Sequence, residues 1–246
     1  MVVHLFGHSA DMDPIISIAK KFNLKIIEDC AESLGVQYKG KTVGTIGDLA
    51  AFSFYSNKTI TSGEGGMLTT NSKIFFEKAK KLKNLAYGKK NKFQHELIGF
   101  NYRMPNVSAA IGLGQLENIK KIFKEKKRIY SRYKFNLKEI SGINFPKIET
   151  WTSKYIMWVF NIYLDKKFPL TRDQLQKKLF KFNIETRNAF VPANQQKTLI
   201  KKYKSFEKFK CPEADYIMKN GVYLPSGNTI TNKEIDYVCK IIKDIV

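Results

Sequence analysis

FSFYSNKTITSGEGG, residues 52–66, is the stretch around which the chain is organised. It completes a short apolar run, Leu49 to Tyr55, that reads as a buried strand of a parallel sheet, apolar on both faces. The run ends in polar Ser56 and Asn57, presents Lys58, and passes into a glycine-rich turn, Gly63 to Gly66. A lysine just past such a strand stands over the carboxyl edge of the sheet, where open α/β folds keep their ligands. Desolvation at that edge favours a neutral amine, which can attack a carbonyl and form a Schiff base. The chain carries 43 lysines and arginines, so Lys58 is singled out only by what surrounds it.

Working outward, Val2 to Phe6 reads as a strand. Asp13 and Pro14 then supply an N-cap and a first-turn proline. The helix that follows is expected to place Ile15, Ile18, Ala19 and Phe22 on its core face. Lys25 to Glu28 is the next strand, ending at Asp29. Strand, helix and strand, followed by the 49–55 strand, predict an α/β sheet. Val36 to Val43 reads as a hairpin, Met67 to Thr70 as a strand, and Ser72 as the cap of a helix reaching about Leu85. Pro105 to Ile140 is helical in pattern with a break near Asn118. Beyond it the strict alternation ends. Ile156 to Leu164 is a strand, Thr171–Gln174 and Thr231–Glu234 are capping boxes, and Pro212 to Met218 is a helix before a short strand at 222–224. Ile235, Val238 and Ile242 face the core of the last helix. We expect a large domain over 1–125 and a small α+β domain over 126–246.

Composition narrows the class. With 43% hydrophobic and 13% aromatic residues the chain is globular. No apolar run reaches the roughly 20 residues of a membrane span, and the opening MVVHLFGHSADMD lacks a secretory n-region. Three widely spaced cysteines, Cys30, Cys211 and Cys239, show no metal-ligand spacing and point to reduced thiols, hence a cytoplasmic location. The net charge of +21 suggests nucleic acid, but the lysines are dispersed over successive helices and no nucleic-acid module is visible. Nucleic acid, membrane and metal are not expected as partners.

KIIEDCAESLG at 25–35, residues 52–67 and HELIGFNYRMPNVSAAIGLGQLE at 95–117 closely resemble the DegT/DnrJ/EryC1/StrS family of sugar aminotransferases. GHSADMDPI at 7–15 and YLPSG at 223–227 look most like the branch that makes GDP-perosamine. The resemblance implies the fold type I architecture of pyridoxal 5′-phosphate enzymes: the C-terminal part of a large, mostly parallel-sheet domain and a small α+β domain. In the family the reactive lysine lies well past the hundredth residue, so the chain resembles a member without its N-terminal part.

The resemblance also implies roles. Lys58 would be catalytic and would anchor the cofactor. Asp29 would face the ring nitrogen, Glu32 would stand beside the ring where many members carry Gln, and Ser53 would bind the phosphate. Asn101 would reach the phosphate of a neighbouring subunit, which makes the expected assembly a homodimer with shared active sites. Arg187 and His95 would serve the substrate, while Asn194 stands where members commonly carry His. The implied reaction is amino transfer from glutamate to a nucleotide-linked keto sugar, GDP-4-keto-6-deoxymannose being favoured, for surface polysaccharide synthesis. Two other classes compete: a non-catalytic fragment or subunit of a split aminotransferase, and a basic nucleic-acid-binding domain supported by charge alone.

Overall fold

A computed structural model describes residues 1–246 other than 89 and 96. The chain divides into two compact units, Met1–Lys124 with Ile148–Trp158, and Glu125–Lys147 with Val159–Val246. A single cut after residue 125 therefore misses one excursion: residues 148–158 return to the first unit.

The first unit holds β1 (Val2–Val3), α1 (Met12–Lys21), β2 (Ile27–Asp29), β3 (Gln37–Tyr38), β4 (Lys41–Thr42), β5 (Leu49–Ser53), β6 (Gly66–Thr69), α2 (Lys73–Leu82) and α3 (Asn106–Glu117). Its main sheet runs β1-β2-β5-β6. β1 and β5 flank β2 in parallel, and β6 returns antiparallel to β5. β5 is less buried than its apolar sequence suggests, with Ala50 alone fully covered. α1 also differs from expectation. It starts at Met12, and its core face is Met12, Ile15, Ile16 and Ala19, spaced i, i+3, i+4, i+7. Ile18 and Phe22 are 54% and 61% exposed. Tyr38 Oη donates to Asp11 and accepts the Asp13 N–H, tying the first turn of the helix to β3.

Helix α4 (Ile119–Leu137) follows after a break at Asn118. The second unit continues with β7 (Ile143–Asn144); β8 (Thr152–Lys154), in the first unit, pairs antiparallel with β3. The 156–164 stretch is a strand only over β9 (Phe160–Leu164). Then come α5 (Arg172–Phe180), β10 (Arg187–Asn188), α6 (Lys197–Lys202), α7 (Pro212–Asn220), β11 (Gly221–Leu224) and α8 (Asn232–Ile245). The unit holds an antiparallel sheet, β10-β11-β9-β7; α8 buries Ile235, Val238 and Ile242 on one face and meets α5, and both predicted capping boxes form. Tyr133 stacks on Phe160 with centroids 4.6 Å apart and donates to the Pro225 carbonyl. No helix among the described residues is long and apolar enough to cross a membrane.

Candidate active site

The carboxyl ends of β2 and β5 lie side by side, with Asp29 paired to Ala51. Strand alternation sends Glu28 and Asp29 to opposite faces. On the packed face Glu28 is fully buried and its carboxylate accepts four hydrogen bonds. Oε2 takes the His4 ring (3.0 Å) and the Gly44 amide (2.8 Å), while Oε1 takes the amides of Ile46 (2.8 Å) and Gly47 (2.6 Å). His4 Nδ1 accepts the Ala10 N–H (3.0 Å), so the proton donated to Glu28 sits on Nε2. Gly44 is needed here: its φ is +86°, and a Cβ would lie 2.4 Å from the Phe52 ring. Burial raises the Glu28 carboxyl, but His4 and the three amides outweigh it, leaving the group below its ordinary range.

His4, Glu28 and Cys30 gather potential metal donors within 4.8 Å of one another. The saturated carboxylate and doubly engaged imidazole instead make a hydrogen-bond node. Burial, reinforced by the Glu28 charge, pushes the Cys30 thiol up to about 12, far from the thiolate a metal requires.

The other face carries the candidate chemistry. Asp29 is half-buried and its Oδ1 accepts the Ala31 N–H (3.0 Å); among the described residues Oδ2 is uncommitted. Ser53 ends β5, and its Oγ accepts the Tyr55 N–H (3.3 Å). Lys58 follows in a turn closed by its own N–H to the Tyr55 carbonyl (3.0 Å). Its side chain is half-buried, with Nζ 4.2 Å from the centroid of the Trp158 ring. Glu32 is buried and accepts the Phe6 N–H (2.9 Å). Burial lifts its carboxyl above the ordinary range, against the pull of that N–H and of the Lys58 charge.

Asp29, Glu32, Ser53 and Lys58 thus meet at one sheet edge. His95 and Asn101 sit elsewhere in the first unit. His95 is exposed, bonded through Nδ1 to the Leu85 carbonyl (2.8 Å), and Asn101 is exposed in an isolated bridge to Asn84. Arg187 belongs to the second unit, exposed on β10 opposite Tyr223. A cleft of about 620 Å³ opens at the other edge of the main sheet, but its carboxylate, Asp48, is committed to Lys25 and the Ile26 amide. Two features of the site were missed from sequence: Glu28, which read as an ordinary strand residue, and Trp158, whose Nε1 donates to the Asn57 carbonyl from 101 residues away.

A parallel sheet bearing an acid, a hydroxyl and a lysine at its carboxyl edge is the architecture of fold type I pyridoxal phosphate enzymes, and the chain has that fold. Residues 1–243 match the DegT/DnrJ/EryC1/StrS aminotransferase family, and the chain belongs to it. It is 37% identical over 244 residues to GDP-perosamine synthase of Escherichia coli O157:H7, covering 99% of this chain and 64% of that one. The corresponding protein of Vibrio cholerae is 37% identical over 245 residues, with 99% and 65% covered. The chain thus spans just under two thirds of the length of these relatives. Among solved structures, Helicobacter pylori PseC, an aminotransferase involved in pseudoaminic acid biosynthesis, superposes with a TM-score of 0.90 at 22% identity, covering 99% of this chain and 65% of that one. That likeness speaks to the fold. Pyridoxal 5′-phosphate is the cofactor of this family.

Proposed function

We propose that the protein is a cytoplasmic pyridoxal phosphate-dependent aminotransferase that transfers the amino group of glutamate to a nucleotide-linked keto sugar. The acceptor we assign is GDP-4-keto-6-deoxymannose, yielding GDP-perosamine for surface polysaccharide. One observation carries the reading: Asp29, Ser53 and Lys58 stand together at the carboxyl ends of neighbouring strands, with Glu32 beside them. The names of the relatives support the choice of acceptor.

The residues fit the cofactor. Asp29 keeps one oxygen uncommitted, Ser53 keeps its own hydroxyl proton to donate, and the Lys58 ammonium has no hydrogen bond or salt bridge among the described residues to give up. Bound pyridoxal phosphate supplies an electron sink for the pair left on carbon when a proton departs. Asp29 holds a proton on the ring nitrogen, keeping positive charge where that pair is drawn. Ser53 donates to a phosphate oxygen and fixes the ring's position. Lys58 Nζ is the covalent anchor and, when free, takes up and returns the proton that moves between carbons. Asn101 completes the phosphate site of a partner subunit in a homodimer, and Arg187 and His95 act on the substrate side.

A second reading rests on α3. No residue of this twelve-residue helix is buried, and Val107, Ile111 and Leu113 are 73%, 50% and 56% exposed. Exposed apolar surface of this kind marks an interaction face. Residues 1–246 would then be competent only with further polypeptide against them.

Borohydride treatment of the full-length protein with pyridoxal phosphate should fix the cofactor to Lys58, read by peptide mass, and Lys58→Arg should abolish turnover. Labelling of another lysine would refute the anchor. A preference for dTDP-linked over GDP-linked 4-keto sugars, with glutamate as donor, would overturn the acceptor and spare the aminotransferase. Unaided turnover by purified residues 1–246 would remove the second reading.

A further inference from the structure

Trp158 lies far from Lys58 in sequence and is only 4% exposed, yet it meets the 57–58 dipeptide twice. Its indole N–H donates to the Asn57 carbonyl (2.8 Å), and its ring face lies 4.2 Å from Lys58 Nζ. The indole is itself held. Phe6 stacks on it with centroids 6.3 Å apart and planes 11° from parallel, and the Phe6 N–H donates to Glu32 (2.9 Å). Phe6 has a φ of 55° and Gly7 one of 83°, a turn that only a glycine can complete there, because a Cβ on Gly7 would lie 1.8 Å from the Ile156 carbonyl oxygen. The Ile156 amide donates back to the Gly7 carbonyl (3.4 Å), tying the β1–α1 turn to the segment that delivers the indole.

We propose that Trp158 is a positioning residue for Lys58, holding the backbone before the lysine through its N–H and resting the Lys58 ammonium, when it is not bound to the cofactor, on its ring face. The proposal depends on Lys58 being the cofactor anchor. A buried tryptophan that merely filled space would need neither the bond to Asn57 nor the amine over its face. A cation on an indole face is favoured electrostatically, most strongly when water is excluded. The contact would keep the released amine within reach of the same sheet edge instead of letting it sweep through solvent.

The test uses the full-length protein and its Trp158→Phe and Trp158→Leu variants. On mixing with pyridoxal phosphate, the Lys58 amine and the cofactor aldehyde condense with loss of water, and borohydride delivers hydride to the new C=N carbon, leaving a stable secondary amine. The time course of trapping at Lys58 is read by peptide mass. Affinity for pyridoxine 5′-phosphate, which has the ring and phosphate but no aldehyde, is measured alongside. Trapping should slow about ten-fold in the Leu variant and about three-fold in the Phe variant, which keeps a ring face but loses the N–H. Affinity for the aldehyde-free ligand should stay within about two-fold, since only the lysine is displaced. The Phe variant keeps buried aromatic volume and remains informative if the Leu variant unfolds. Wild-type trapping rates in both variants would overturn the proposal, and so would loss of aldehyde-free ligand affinity in parallel with trapping, which marks general damage to the site. Wild-type protein that traps no cofactor at Lys58 would fail the functional reading itself, and this inference with it.

Discussion

The two faces of β2 place adjacent carboxylates in opposite situations. Glu28 points into the packed side, has no exposure and has four donors on its two oxygens. Asp29 points to the rim, is half-buried and accepts one amide. Saturation separates their roles. A carboxylate whose lone pairs are all engaged by the protein holds the fold, whereas one with an oxygen to spare can meet a ligand. Exposure alone would not draw that line, since Glu32 on the rim is also buried.

The largest effect should come from emptying the packed side. Glu28→Ala strands three backbone amides and the His4 N–H in the interior, and breaking a buried charged network costs about 3–5 kcal/mol. Denaturant unfolding of the full-length protein should show that loss. The pH dependence has a definite sign. The folded-state Glu28 pKa lies below the unfolded one, so its stabilisation is complete above the unfolded value and is lost as pH falls through the folded value. Glu28→Gln should flatten the acid limb of the stability curve. An Ala variant as stable as wild type would dissolve the contrast between the two faces.

Asp29→Asn tests the rim. The amide still accepts the Ala31 N–H, so stability should change by less than about 1 kcal/mol. Turnover should fall by about 3 kcal/mol of barrier, the size of one preorganised electrostatic contact, with cofactor retained. Undiminished turnover would reduce Asp29 to a residue that starts the following turn.

How far the contrast could be read in the sequence depends on what makes each part. Local chemistry was legible. The capping boxes at Thr171 and Thr231, the Ser72 cap and the helix break at Asn118 depend on a few neighbouring residues, and all appear where the pattern puts them. The parallel strands around Asp29 and Leu49 were equally visible in their apolar runs. The Glu28 node was not, because three of its donors are backbone amides that leave no trace in side-chain type. The face of α1 differs because the helix begins at Met12, ahead of the expected start, so that Met12 and Ile16 join Ile15 and Ala19 in one i, i+3, i+4, i+7 set and Ile18 and Phe22 fall outside it. Trp158 sits in a segment that departs from its sequence neighbours to join the first unit. Nothing in the residues around it signals that return.

The smallest effect belongs to Glu32, where acid and amide should be nearly interchangeable for stability. Its carboxyl is buried, with Phe6 N–H as its hydrogen-bond donor and Lys58 as a nearby charge, and burial wins, so the folded-state pKa lies above the ordinary value of 4.5. A raised carboxyl pKa works opposite to that of Glu28. The folded state binds the proton more tightly, so stability is highest below the unfolded value and declines as pH rises from there to the folded value. Glu32→Gln can keep the Phe6 N–H on its amide oxygen while removing the charge that must be buried. We expect the variant to match or exceed wild-type stability by at most about 1 kcal/mol at neutral pH and to lack the decline just above pH 4.5. Thermal unfolding of the cofactor-free protein across pH 4 to 8 would register both. A neutral-pH loss well beyond that margin would mean that the Glu32 charge is an asset, held in place by Lys58, and would move Glu32 across to the same side of the contrast as Glu28.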